Sequence, residues 1–475
     1  VGVKAKTAIE YIEQNRERLT KMSDAIWSYA ELPLHEVKSS ALLVKELEAD
    51  GFSVQTGVSG MPTAFVGTWG SGTPVIGFLG EFDALSGLSQ KAVPTKEELV
   101  PGAPGHGCGH NLHGVGAFAA AIGLKKEMEA RNLPGTIKYF GCPAEENLSG
   151  KMYLARDGLF DRCDTCFEWH PGEINRPPVG TTLANNAAKF TFYGRSAHAG
   201  GDPWNGRSAL DAVQLMNIGV EFMREHMPLR SRIHYVITEG GGQPNVVPPI
   251  ATVWYMVRAE RRQDVEELWE RVVKCAEGAT LMSGTHYEME WIRAPWNVLP
   301  NVPLTELLFA CFERVGPPAL GPAEMEFAQE LAKSISPSVR QAALRKNQIP
   351  RKYWDKIYCD FVLPMPQSDD EPGGSTDVGD VSWCCPTARL RAASGIIGTP
   401  GHSWQLVAQA GMGIGHGAMI AAGKVMAEAA LELLTDPSLL ARARADFDEQ
   451  REGTTYHCAI PADMKPPFHV FAQKK

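Results

Sequence analysis

Five short stretches of this 475-residue chain carry side chains able to hold a divalent cation or move a proton. The run GHGCGHNLHG at 105–114 sets Cys108 and His110 two residues apart in a glycine-rich segment, close enough to serve one ion from a single loop. Three apolar runs, VIGFLG, TIKYFG and TCFEW, lead into Glu81-Phe82-Asp83, Cys142-Pro143-Ala144-Glu145-Glu146 and His170-Pro171. A fifth stretch, GTPGHSW at 398–404, puts His402 in another Gly/Pro loop. Cysteine, histidine and carboxylate are the ligand types that suit zinc and related divalent ions. Singly these residues say little: a lone histidine is more often a hydrogen-bonded core residue, and an acidic pair usually faces water. Jointly they say more, because every one lies at a strand end or in a glycine-rich loop.

The elements that must position them follow from periodicity. Amphipathic helices are predicted over 7–29 and 38–50, then strands at 74–80, 136–141 and 165–169 separated by helices at 111–128 and 151–158. Strand–helix–strand alternation predicts an α/β fold, a mostly parallel sheet covered by helices. In open sheets of this kind ligands bind beyond the carboxyl ends of the strands, where the polar residues above fall. The middle third has another rhythm: strand 189–193, helix 207–226, strands 233–238 and 251–258, helix 264–281 and strand 286–291. That β-α-β-β-α-β order predicts a ferredoxin-like α+β domain over 186–297, inserted into a discontinuous domain of 1–185 and 298–475. The α/β pattern resumes after about 301 and closes with a helix over 413–434. Between 317 and 374 a Pro-interrupted stretch, which includes SPSVR, QIPRKYW and the acidic QSDDEPGG, predicts a helical excursion with a mobile loop.

Composition narrows the function classes. Hydrophobic residues are 44%, charged residues 21%, and the net charge is −9, so nucleic acid and anionic membrane are poor partners. The longest apolar stretch, 408–434, is broken by glycines and charges and reads as a buried helix. VGVKAKTAIEYIEQ has no apolar signal region, and ten cysteines are too sparse for a disulfide scaffold, so a cytoplasmic location is expected. No G-x-G-x-x-G or Walker lysine supports a nucleotide site. No G-x-S-x-G elbow supports a serine hydrolase. Cys163 and Cys166 form a C-x-x-C without a second pair at zinc-finger spacing.

With these residues in place the chain resembles the cocatalytic-metal aminoacylase and carboxypeptidase family, which includes the plant auxin-conjugate amidohydrolases. The motifs are GEFDAL (80–85), GCGHNLHG (107–114), CPAEE (142–146), WHP (169–171), GRSAHAG (194–200), PNVVP (244–248) ahead of Arg258, STDVGDVSW (375–383) and GTPGHSW (398–404), in family order. The resemblance implies a two-metal catalytic domain, with Zn or Mn, and a dimerisation domain. It implies Cys108, His110, Glu146, His170 and His402 as metal ligands, Glu145 as general base and Asp83 as the carboxylate orienting the ligands. It further implies that His198 reaches a partner subunit's site, and that Asn245 and Arg258 contact substrate. On the residues alone, His198 reads as a turn cap and Arg258 as the partner of a surface acid. The implied reaction is hydrolysis of an N-acyl (aroyl) amino acid such as p-aminobenzoyl-glutamate, by a homodimer or a heterodimer with a paralogous subunit. Two alternatives are an amidase for substrates without an amino-acid carboxylate, and a subunit active only beside its paralogue. Two positions depart from the family: Asn111, where auxin-type members often carry Asp, and Glu81, where the carboxypeptidase branch has a histidine ligand. Whether Glu81 touches metal stays open.

Overall fold

The structure, a computed structural model, describes residues 2–366 and 374–471. Among the described residues the strands are β1 (Ser53–Thr56), β2 (Phe65–Ser71), β3 (Val75–Glu81), β4 (Gly135–Cys142), β5 (Thr165–Gly172), β6 (Ala184–Tyr193), β7 (Arg232–Glu239), β8 (Ile250–Ala259), β9 (His286–Arg293) and β10 (Thr387–Ala393). Six form one sheet in the order β1-β2-β4-β3-β5-β10. The four strands β4, β3, β5 and β10 run parallel, and β1 and β2 extend the β4 edge antiparallel.

The parallel strands are continuous apolar runs because both faces are covered. Along β3, Ile76 and Phe78 enter one core while Leu79 enters the other, and β4 divides Ile137 and Tyr139 from Phe140 in the same way. The first core is closed by helices His110–Arg131 and Gly413–Thr435, the second by Gly150–Arg156 and Val378–Cys384. Helix His110–Arg131 lies so close to the sheet that a Cβ on Gly114 would stand 2.7 Å from the Glu81 carbonyl oxygen. This close approach brings the first turn of the helix, with His110, over the end of β3.

The second sheet is antiparallel, ordered β7-β8-β6-β9. Helices Ala209–Met223 and Arg262–Ser283 cover one face, sharing a core with Phe190, Val253 and Tyr255. The chain order of these elements is the β-α-β-β-α-β pattern read from the residues.

Some elements differ from expectation. The helix expected over 7–29 breaks at Asn15 into Lys6–Gln14 and Arg16–Tyr29, the Asn15 side chain donating to the Tyr11 carbonyl. Strands β1, β2 and β10 are additional to those expected: SVQT is only four residues, and two glycines dilute FVGTWGS. The excursion after 317 is helical, with Pro322–Ala332 and Pro337–Lys346 each starting on a proline that needs no N–H there. Of the acidic QSDDEPGG within that segment, 367–373 lies outside the described residues. Among the described residues no helix is long and apolar enough to cross a membrane.

Candidate metal centre

The parallel strands β3, β4 and β5 deliver their carboxyl ends to one edge, with Glu81 beside Cys142 in register. Asp83, two residues past β3, is fully buried and joins two segments. Its Oδ1 accepts from His110 Nδ1 at 2.8 Å and its Oδ2 from the Glu146 backbone N–H at 2.9 Å. With Nδ1 turned to Asp83, Nε2 is the ring nitrogen that faces the pocket. Against burial, the charges of Cys108, Asp83 and Glu81 raise the His110 pKa well above its ordinary value, so a cation bound there would displace a proton. The same logic fixes His170: Nδ1 donates to the Pro171 carbonyl at 2.8 Å, and Nε2 lies 3.4 Å from Cys108 Sγ. His402 Nε2 stands 3.4 Å from Glu146 Oε2, its side chain 57% exposed where the others are buried or nearly so.

These contacts gather ligand atoms into three groups, each with its members within 4.8 Å of one another: Cys108, His110 and His170; Cys108, Glu146 and His402; and Glu81, His110 and Glu145. Cys108 belongs to two groups and His110 to two. Buried polar atoms are normally satisfied, yet His110 Nε2, Glu146 Oε1 and Glu81 Oε2 have no hydrogen-bond partner. Nε2 is 3.1 Å from Glu81 Oε2 and 4.0 Å from Glu146 Oε1. Unpartnered carboxylate oxygens and a ring nitrogen converging in a buried pocket are what a cation would satisfy, and the donor set fits divalent metal. Burial, then the nearby Glu146 carboxylate, pushes the Cys108 thiol well above its ordinary range, so a thiolate here requires positive charge beside it.

Glu145 opens the four-residue turn Glu145–Leu148, and left-handed residues bracket that turn, Ala144 at φ 62° and Ser149 at φ 57°. Glu36 holds the approach: its Oε1 accepts from the Ala144 N–H at 2.8 Å and its Oε2 from Thr63 Oγ1 at 3.0 Å. Burial, together with the charges of Glu81, Asp377 and Glu146, raises the Glu145 carboxyl well above the carboxylate range. A carboxyl so placed takes up a proton readily.

Seven of the ten candidate residues therefore meet in one place: Cys108, His110, Glu145, Glu146, His170, His402 and Asp83. Arg258 is linked to it through Arg293, which the sequence reading missed. Arg293 Nη1 donates to the Glu146 carbonyl at 3.0 Å. In register Arg258 opposes Asn185 and Arg293 opposes Ala187, two residues apart on β6, so both guanidiniums share one sheet face. Arg258 Nη1 donates to Ser375 Oγ at 3.0 Å, and no carboxylate pairs with either arginine among the described residues. Burial, then the charge of Arg293, lowers Arg258 to about 10. Both Nε atoms and both side-chain polar atoms of the buried Asn185 lack partners. The register of β6 was the signal that could have found this cluster, since alternate residues of flanking strands share a face.

His198 and Asn245 are not brought to the centre within one chain. They sit together at the opposite end of the second sheet, where the Ala199 N–H donates to the Asn245 carbonyl at 3.0 Å. From there to Arg258 the chain runs nearly the whole length of β8, about 25 Å. His198 Nδ1 accepts from the backbone N–H groups of Gly200 at 3.1 Å and Gly201 at 2.9 Å. The turn thus fixes the neutral tautomer that carries its proton on Nε2, a donor directed away from the turn. The C-x-x-C cysteines are buried, with Cys166 Sγ 3.6 Å from Cys385 Sγ, and among the described residues the three thiols do not close into a group with all ligand atoms within 4.8 Å of one another.

Comparison with known proteins agrees with this geometry. Residues 185–281 match the family model described as "Peptidase dimerisation domain" of the M20 group. The chain is 39% identical over 468 residues to a p-aminobenzoyl-glutamate hydrolase subunit of Escherichia coli (strain K12), covering 96% of this chain and 97% of that one. Among solved structures it resembles an aminobenzoyl-glutamate utilization protein from Klebsiella pneumoniae, with TM-score 0.57 and 19% identity over 87% of this chain and 97% of that one. It also resembles a dinuclear metal binding peptidase of the M20 family from Bacillus subtilis, with TM-score 0.56 and 17% identity over 89% and 99%. By its near full-length identity to that hydrolase subunit and its match to the dimerisation model, the chain is a member of the M20 family of peptidases and amidohydrolases, in the branch of the p-aminobenzoyl-glutamate hydrolases.

Proposed function

We propose that this protein hydrolyses the amide bond of an N-acyl amino acid, an aroyl amino acid such as p-aminobenzoyl-glutamate, using two divalent ions, Zn or Mn. The observation that carries the reading is the convergence of unpaired His110 Nε2, Glu146 Oε1 and Glu81 Oε2 beside Cys108, His170 and His402. Cys108, His110, Glu146, His170 and His402 are the residues that would hold the ions. When bound, such ions lower the pKa of water towards neutrality and polarise the scissile carbonyl. Glu145 accepts the proton of the attacking water and returns it to the leaving nitrogen, which departs poorly unless protonated. Asp83 keeps His110 in its ligand tautomer. Arg258 and Arg293 lie on one face with no acid between them, so a substrate carboxylate completes that cluster.

The stretch 186–297 serves as the dimerisation unit. Edge strand β7 and helix Ala209–Met223 leave Val236, Ile218 and Phe222 exposed, Phe222 by 77%. A partner strand paired along β7 would cover them, and the partner subunit's His198 would then approach the centre to donate Nε2–H to the carbonyl oxygen. The partner is a second copy or a paralogous subunit, the latter favoured because the Escherichia coli relative is named as one subunit of its hydrolase. The ten cysteines are unpaired thiols, which suits the cytoplasm.

The test is hydrolysis of p-aminobenzoyl-glutamate, its glutamine analogue and a neutral aroyl amide by the purified chain, after chelation and with Zn or Mn restored. The expected order of kcat/KM is glutamate, then glutamine, then neutral amide, with no activity in chelator. Equal rates on the neutral amide would support the amidase reading instead. Activity appearing only after a paralogue is added would support the dependent-subunit reading.

A second expectation concerns Cys108. Cys108→Ala should lose at least one ion per chain and the activity with it, since no neighbouring side chain supplies a thiolate. Elemental analysis decides; full metal content in the folded variant would remove Cys108 from the ligand set.

A further inference from the structure

Beneath the centre lies an ion cluster that this mechanism leaves unused. Lys151, at the start of helix Gly150–Arg156, is completely buried. Its Nζ donates to Glu81 Oε1 at 2.5 Å and to Asp377 Oδ1 at 2.8 Å, and Asp377 Oδ2 accepts the Lys151 backbone N–H at 2.9 Å. An ammonium is strongly hydrated and rarely buried, and an apolar replacement of a buried ion pair is often as stable, so stability alone is a poor reason for it.

The geometry around Glu81 offers another reason. Its backbone N–H donates to His113 Nδ1 at 3.0 Å, which anchors the residue, and Lys151 occupies Oε1. The remaining oxygen, Oε2, has no hydrogen bond and lies 3.1 Å from His110 Nε2. Since Asp83 engages His110 Nδ1, Nε2 is the ring atom open to a metal. Glu81 also shares its group with Glu145. One oxygen of Glu81 is thus tied down and the other faces the site.

We propose that Lys151 is a positioning residue of the metal centre: by holding Glu81 Oε1 against Asp377, it presents only Glu81 Oε2 to the pocket shared by His110 and Glu145. The proposal rests on the two-metal amidohydrolase reading above. Released from Lys151, the carboxylate could turn both oxygens towards the cations and occupy the space in which Glu145 must meet water. Groups that orient ligands without reacting are commonly worth about 10–100-fold in metal affinity or activity.

Three variants test it: Lys151→Met, Glu81→Gln and the double variant, each checked for folding by circular dichroism and measured for metal affinity by chelator competition and for kcat and KM. Lys151→Met is expected to keep its metal and its KM while kcat falls about 10–100-fold, and Glu81→Gln to bind metal about 10–100-fold more weakly. Because Lys151 acts through Glu81, the double variant should be no worse than Glu81→Gln alone. Multiplying losses in the double variant would overturn the proposal, as would wild-type kcat in folded Lys151→Met. If Lys151→Met does not fold, Glu81→Gln decides by metal affinity alone, and an unchanged affinity rejects the proposal. Wild-type protein inactive on every N-acyl amino acid would instead reject the amidohydrolase reading, while metal affinity in Glu81→Gln would still decide whether Glu81 faces the metal.

Discussion

Glu145→Gln is expected to retain both metals and lose about 10²–10⁴-fold in turnover, the usual worth of a positioned acid–base group. Glutamine preserves the shape and the polar contacts of the site but cannot accept a proton. The geometry separates the two neighbouring carboxylates. Glu146 lies with Cys108 and His402, its Oε2 3.4 Å from His402 Nε2. Glu145 lies instead with Glu81 and His110, where burial and surrounding negative charge raise its affinity for a proton. Glu146→Gln should therefore weaken metal binding first and lose activity as a consequence, recoverable in part by excess metal. Elemental analysis beside kcat distinguishes them. Metal loss following the Glu145 change and not the Glu146 change would exchange the two roles.

That division of labour was legible in the sequence only in outline. The strand ends could be read because apolar runs stop at polar residues, and a parallel sheet aligns those stops on one edge. Asp83, Glu146 and His170 come together for that reason, although 87 positions separate Asp83 from His170, and His110 joins them from the first turn of a helix. What could not be read is what supports them. Glu36 reaches Ala144 across 108 positions, and Asp377 reaches Lys151 across 226. Neither pair has a spacing, a period or a motif to announce it, since the contacts follow from how layers stack. Arg293 is intermediate: the periodicity ends its strand at 291, and two more residues place it beside the Glu146 carbonyl. Glu81 shows the limit most plainly, because a residue type alone could not say that one of its oxygens is already taken.

Mixing two inactive variants should restore activity. His198→Ala is expected to lower turnover with metal content unchanged, because His198 lies at the far end of the second sheet from its own chain's centre. Glu145→Gln removes the base but leaves His198 intact. In a hybrid dimer, the site on the His198→Ala chain keeps its own Glu145 and receives the partner subunit's His198, so one of two sites is whole. With random exchange half the dimers are hybrids, and recovery should approach about a quarter of wild-type activity. The fixed tautomer of His198 makes the expectation sharper: Nδ1 is engaged by two backbone N–H groups, leaving Nε2–H to stabilise the negative charge that grows on the carbonyl oxygen. His198→Gln, which offers a donor of similar reach, should accordingly lose less than His198→Ala. Subunit exchange is verified by differently tagged chains co-purifying. No recovery despite proven exchange would return His198 to a turn-capping role and leave each centre to work with the residues of its own chain.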